Sequence, residues 1–166
     1  TETLKDKGYA YIHYNSPDER GIDTAFIYRT NYIQVTSSQT HELYLETTEG
    51  FRDFTRDILE VNCNFLDEQF TILINHWPSR RDGASSTAHK RLEAANRNMA
   101  IIEGIKSKNP KNHILVMGDF NDDPQDESVQ KLSSSGLFNP METLLTNARG
   151  TTKHKGRWNL FDQILM

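Results

Sequence analysis

Over the first half of the chain apolar and polar residues alternate in short stretches, the period of a half-buried strand; near residue 88 the spacing changes to three and four, the period of a helix. The alternation predicts strands over residues 8–14 and 22–28, separated by the turn-forming Asn15, Ser16, Pro17 and Asp18. Further β-rich pieces are expected at 32–36 and 42–46. Residues 58–65 and 70–74 flank Asp67 and Glu68 and predict an antiparallel hairpin. Ala88, Leu92, Ala95, Met99 and Ile102 then fall on one face of a helix, with Thr87 as its N-cap and Asn109 and Pro110 at its end. A short apolar run at 114–117 predicts a buried strand, 127–132 a short helix, and 159–166 a closing strand. Strands that alternate with isolated helices point to a mixed sheet and an α/β or α+β class. No linker, repeat or low-complexity tract divides residues 1–166, so a single structural unit is expected, and a last strand without cap or polar tail leads us to expect that it is part of a longer domain.

The polar residues that interrupt this pattern carry the chemistry. Gly118-Asp119-Phe120-Asn121 lies where a buried strand runs into a loop, a site-forming location. In an extended segment Asp119 and Asn121 would face one side and Phe120 the other. A carboxylate beside a neutral amide suits a phosphate centre: the first can take a proton from water or hold Mg²⁺, and the second can orient water without adding charge. The residues Asn75-His76-Trp77-Pro78-Ser79-Arg80 follow another apolar strand. His76 shares a face with Phe70, Ile72 and Ile74, and its imidazole can donate to a phosphoryl oxygen. In the closing strand Asp162 shares a face with Leu160, Ile164 and Met166, where an ionised carboxylate is costly unless something pairs with it. An imidazole is the functional candidate for that partner. Asn75, Arg80 and Arg91 are read as substrate-binding residues.

Composition narrows the setting. With 36% hydrophobic residues in 166, the chain is long enough for a real core, and no apolar run approaches the length of a membrane span. A net charge of −4 argues against blanket neutralisation of a polyanion, so any phosphate must be bound by local basic clusters: Arg80 and Arg81; His89, Lys90 and Arg91; Arg149, Lys153, Lys155 and Arg157. The one cysteine, Cys63, excludes an internal disulfide and a cysteine-based zinc site. A soluble protein is expected, with a secreted or periplasmic parent as one setting; oligomeric state is not readable.

In that order, Asn-His-Trp-Pro-Ser-Arg, a helix, Gly-Asp-Phe-Asn and Phe-Asp-Gln-Ile-Leu-Met resemble the endonuclease/exonuclease/phosphatase superfamily, which shares the fold of pancreatic deoxyribonuclease. The segment from Arg20 to Arg29 is similar to the stretch ahead of these motifs, so the resemblance spans roughly residues 8–166. It implies a four-layered α/β/β/α sandwich with two mixed sheets face to face, and a phosphate-ester hydrolase dependent on Mg²⁺ or Mn²⁺, a nuclease in preference to a lipid or inositol phosphatase. The alternative is a non-catalytic relative that binds a phosphorylated ligand. Carried over, His76 binds the scissile phosphate, Asp119 aligns or deprotonates water, Asn121 orients it, Asp162 holds a catalytic histidine, and Asp119 and Asn121 face the metal.

Two departures stand out. The family's principal metal-binding glutamate has no match in residues 1–7, and its closing Ser-Asp-His would begin after Met166. The resemblance thus implies that the 166 residues alone lack the main metal ligand and the histidine Asp162 serves; only full activity of these residues by themselves would point to another ligand, such as Asp23 or Asp122.

Overall fold

The computed structural model describes residues 2–146 and 148–166; Thr1, the first residue of the stretch without a glutamate match, lies outside them. A short helix, α1 (Glu2–Lys5), leads into an antiparallel ribbon of β1 (Tyr9–His13) and β2 (Ala25–Arg29). Strand β3 (Ile33–His41) follows, then a small ribbon of β4 (Leu45–Glu46) and β5 (Arg52–Asp53). The expected hairpin is β6 (Ile58–Phe65) and β7 (Glu68–His76), and the expected helix is α2 (Ala88–Lys108). After β8 (His113–Asp119) come α3 (Glu127–Ser133), a 3₁₀ turn at Pro140–Thr143, β9 (Thr152–His154), β10 (Arg157–Asn159) and β11 (Asp162–Leu165).

Five strands form the main sheet in the order β11-β8-β7-β6-β3. It is mixed: β7 and β8 run parallel, joined by α2 as the crossover that parallel strands require, and the other pairs are antiparallel. Alternation along each strand sends one set of side chains to each face. On one face Leu73, Ile114, Val116 and Leu165 pack against Ala94, Ala95, Ile101 and Ile102 of α2 and Val129 and Leu132 of α3. On the other, Val61, Cys63, Ile72 and Ile74 pack with Ile12 and Phe26 of the β1–β2 ribbon. Among the described residues the sandwich thus has a helical layer, the mixed sheet and a ribbon, the second sheet being represented by two antiparallel strands. No described helix is long and apolar enough to cross a membrane.

Two expectations shift. The buried line of α2 is Arg91, Ala94, Ala95, Asn98, Ile101 and Ile102, rotated from the apolar one, and Ala88 is exposed. Arg91 and Asn98 are buried there because Asp122 and Asn75 meet them, which an apolar count does not register. Thr87 does sit at the N-cap position, yet it makes no cap hydrogen bond; its hydroxyl donates to the Gly83 carbonyl and accepts from Arg91. The closing strand is also two strands. The ladder breaks because Leu160 N–H donates to the Asp123 carboxylate and the N–H groups of Phe161 and Asp162 donate to the Thr151 hydroxyl. Residues 157–159 turn away to pair with β9.

Candidate active site

His76 is the last residue of β7, Asp119 the last of β8 and Asp162 the first of β11, and the pairing register sets His76 opposite Asp119 and Asp119 opposite Asp162. Direct partners in a ladder project to the same side, so one imidazole and two carboxylates form a row across three strand ends, on the ribbon-facing side of the sheet. Gly118 permits it: its φ is +135°, and a Cβ there would lie 1.9 Å from the Asn75 carbonyl oxygen of the neighbouring strand.

The loop after β8 closes the row. Phe120 turns inward, fully buried, and meets the Trp77 ring edge-on at 4.5 Å. Asn121 adopts a left-handed φ of +50°, so the simple alternation expected for Asp119 and Asn121 does not apply. Instead Asn121 is folded back by its own N–H, which donates to Asp119 Oδ1 at 2.8 Å, while its side-chain Nδ2 donates to the Trp77 carbonyl at 2.9 Å. With the amide nitrogen so engaged, its oxygen is the group left for a ligand.

Beneath the row lies a buried cation that sequence reasoning missed. Arg56, just before β6, is 3% exposed; it donates to the carbonyls of His76 and Trp77 at 3.1 and 2.5 Å and to the Asp18 carboxylate at 2.9 Å. Burial alone would raise the Asp18 carboxyl, but hydrogen bonds from Arg20 and Arg56 outweigh it and hold it well below the usual carboxylate range. Arg56 and Asn121 therefore share the Trp77 carbonyl, linking the two loops that carry His76 and Asp119. The one sequence signal was a basic residue directly ahead of an apolar strand. A cleft of about 220 Å³ adjoins Arg56 but is lined by none of the row residues, and its lining mixes Arg20, Arg81 and Lys90 with Asp18, Glu19, Asp53 and Asp82.

The three expected substrate-binding residues are held within the fold. Asn75 points to the helical side, 3% exposed, bonded to Asn98 and to the Trp77 indole N–H. Arg91, 1% exposed, contacts the Asp122 carboxylate and donates to Thr87 and the Ala84 carbonyl. Arg80 is half-buried and ties down the loop after β8: it donates to the Asn121 carbonyl, Asp122 and Asp126, and lies 4.7 Å over the Phe161 ring. The substitute metal ligands are likewise engaged, Asp122 by Arg80, Arg91 and Ser128, and Asp23 by His13 and the Ser16 N–H. Asp162 differs from expectation in burial: its face is exposed, so its charge needs no internal partner, and the buried polar residue of β11 is Gln163.

Electrostatics divide the row. Burial, with the Arg56 and Arg20 guanidiniums adding to it, pushes the His76 imidazole down to about 4, so it is neutral at pH 7. His76 Nε2 lies 3.7 Å from Asp119 Oδ2, a polar approach rather than an ion pair when the ring is uncharged. Burial pushes the Asp119 carboxyl above its ordinary range, with Asp162 contributing, against the Asn121 hydrogen bond. No group of three or more His, Cys, Asp or Glu able to hold a metal occurs among the described residues. The adjacent Asp119 and Asn121 still supply a carboxylate and an amide oxygen, hard donors of the kind Mg²⁺ takes while keeping several waters. They fit as part of a shell, not as a complete one.

Over residues 1–166 the chain matches the model of the Endonuclease/Exonuclease/phosphatase family. No curated protein sequence is a match. Among solved structures, the human Nocturnin catalytic domain with bound sulfate is similar at 16% identity and a TM-score of 0.69, over 99% of this chain and 63% of that one. A humanized D. rerio TDP2 gives 18% and 0.64, over 99% and 64%. A Bacteroides thetaiotaomicron mannosyl-6-phosphatase gives 19% and 0.64, over 99% and 66%. At these identities the likeness is one of fold, the deoxyribonuclease-like α/β sandwich, and the chain spans less than two thirds of each.

Proposed function

We infer that this chain, which belongs to the endonuclease/exonuclease/phosphatase family, carries the water-activating and phosphate-binding part of a divalent-metal-dependent phosphate-ester hydrolase, a phosphodiesterase acting on nucleic acid in preference to a lipid or inositol phosphatase. The observation that supports it is the row of His76, Asp119 and Asp162 in register on one sheet face, with Asn121 clipped beside it.

Each residue has a part that its surroundings favour. Neutral His76 donates a hydrogen bond to a phosphoryl oxygen, a donor whose orientation is fixed before charge develops. Asp119, its carboxyl raised by burial, takes the proton of the water that attacks phosphorus. Asn121 offers its amide oxygen to that water, held in place through the Trp77 carbonyl. Asp162, exposed at the end of the row, is free to orient an imidazole other than the neutral His76, and its charge would favour the protonated form of that ring. Mg²⁺ or Mn²⁺, held in part by Asp119 and Asn121, supplies positive charge to the phosphoryl group and the leaving oxygen when bound.

The test is hydrolysis of a single-stranded oligonucleotide, bis-p-nitrophenyl phosphate, a sugar phosphate and a phospholipid by a protein containing this chain, at saturating Mg²⁺. Asp119→Asn keeps the shape and removes the base; turnover should fall by about 10² or more, with KM changed less. Unchanged turnover would remove Asp119 from the chemistry.

A further inference from the structure

The segment between the 3₁₀ turn and β11 has no role in the row, yet its charge is one-sided. From Ala148 to Phe161 it contains Arg149, Lys153, Lys155 and Arg157, four of the chain's 19 basic residues, and none of its 23 acidic ones. Lys153 to Arg157 form the tip of a tight hairpin, β9 and β10. Two left-handed residues, Lys155 at φ +48° and Gly156 at +82°, make the turn, as a two-residue hairpin loop requires. All four cations are exposed, and among the described residues none of them enters an ion pair. Arg56, Arg80 and Arg91, by contrast, are all neutralised inside the fold.

The base of this hairpin is bolted to the site. Thr151 donates its N–H to the Asn159 carbonyl, and its hydroxyl accepts from the N–H of Asp162. The cations at the tip then stand roughly 10 Å beyond Asp162 at the rise of an extended chain. Half-buried Trp158 sits among them, with Lys153 Nζ 5.5 Å from its ring centre.

We propose that the β9–β10 hairpin is a binding arm for the backbone of a nucleic-acid strand, engaging phosphates beyond the one held at the row. The inference rests on the phosphate-ester reading above and narrows its substrate to a polymer. A single-phosphate ester would not reach cations that far from Asp162, whereas a strand with regularly spaced phosphates would. A membrane is the less suitable partner, because the tip, His154-Lys155-Gly156-Arg157, has no apolar residue to insert. Trp158 adds a π-face on which a base can stack, an interaction indifferent to sequence.

The experiment is fluorescence anisotropy of labelled single-stranded and duplex oligonucleotides with the full chain, in EDTA so that hydrolysis cannot interfere. A triple variant, Lys153→Gln, Lys155→Gln and Arg157→Gln, is compared with a control of equal charge change, Lys5→Gln, Lys108→Gln and Lys111→Gln. The hairpin variant should bind about tenfold or more weakly at 50 mM salt, and its log K against log salt should be shallower by about 2, close to 0.7 per lost contact on a single strand. The control should stay near the parent. Equal weakening by both sets would overturn the proposal, as would no oligonucleotide binding by the parent, or binding only to phosphatidylserine vesicles. Because binding is read without metal, its failure is distinct from that of the hydrolase reading. A protein that cleaves bis-p-nitrophenyl phosphate yet ignores oligonucleotides would sink the arm alone.

Discussion

Asp119 and Asp162 are direct partners across the antiparallel pair β8–β11, so two carboxylates that both face the site stand side by side with no cation between them in the ladder. Like charges directly opposite in a sheet are destabilising, where a favourable cross-strand pair contributes roughly 0.2–1 kcal/mol. The arrangement is explicable as a site kept at a cost to the fold. Asp162→Asn should therefore raise stability by an amount in that approximate range at neutral pH, measured by urea denaturation. The gain should shrink as salt is added, because the repulsion it removes is screened. A less stable variant would show that the Asp162 carboxylate is structurally paired after all.

The depressed His76 imidazole gives stability a sign with pH. A group whose folded value lies below its unfolded one binds fewer protons when folded, so acid favours the unfolded chain. With His76 at about 4 against an ordinary 6.5, its contribution leaves stability unchanged above 6.5, lowers it as the pH falls from 6.5 towards 4, and adds no further loss below. His76→Gln should flatten that part of the profile, measured as the urea midpoint at successive pH values. Parallel profiles for parent and variant would mean that the ring titrates normally.

Arg56 and Asp18 form a buried pair, each side chain 3% exposed, and Arg56 also holds the His76 and Trp77 carbonyls. Removing one partner of such a pair leaves a charge uncompensated and costs about 3–5 kcal/mol. Arg56→Met should approach that loss, and Arg56→Met with Asp18→Leu should recover part of it. Arg56→Lys keeps the charge but not the fork of donors. It should lower turnover of a phosphate ester more than it lowers the unfolding midpoint, since the carbonyl that seats Asn121 is then released. Full turnover in Arg56→Lys would reduce Arg56 to a stabilising residue.

The donor set around Asp119 predicts weak metal binding by these 166 residues alone. Mg²⁺ surrenders its waters reluctantly, and one carboxylate plus one amide oxygen should hold it only at concentrations on the order of millimolar. Calorimetric titration of the chain with Mg²⁺ and Mn²⁺ checks this, with Asp119→Asn as the control that should remove the heat. Micromolar affinity would require further ligands.

The alternation of residues 58–65 and 70–74 located β6 and β7, the spacing of three and four located α2, and the apolar run at 114–117 located β8. Those signals are local, because burial of one face must repeat with the period of the element that buries it. The chemical motifs were legible for a related reason: His76 and Asp119 are polar residues placed where an apolar strand ends, and Asp162 interrupts an apolar alternation. Sequence could not supply the register that makes His76, Asp119 and Asp162 neighbours, since pairing between distant strands depends on how whole faces pack. Nor could it show that Asn75, Arg80 and Arg91 have partners far along the chain, Asn98, Asp126 and Asp122 among them. Arg56 went unread for the same reason: a charge is buried only where tertiary structure brings it a counter-charge and acceptors, here Asp18 and the carbonyls of His76 and Trp77, which no local pattern announces.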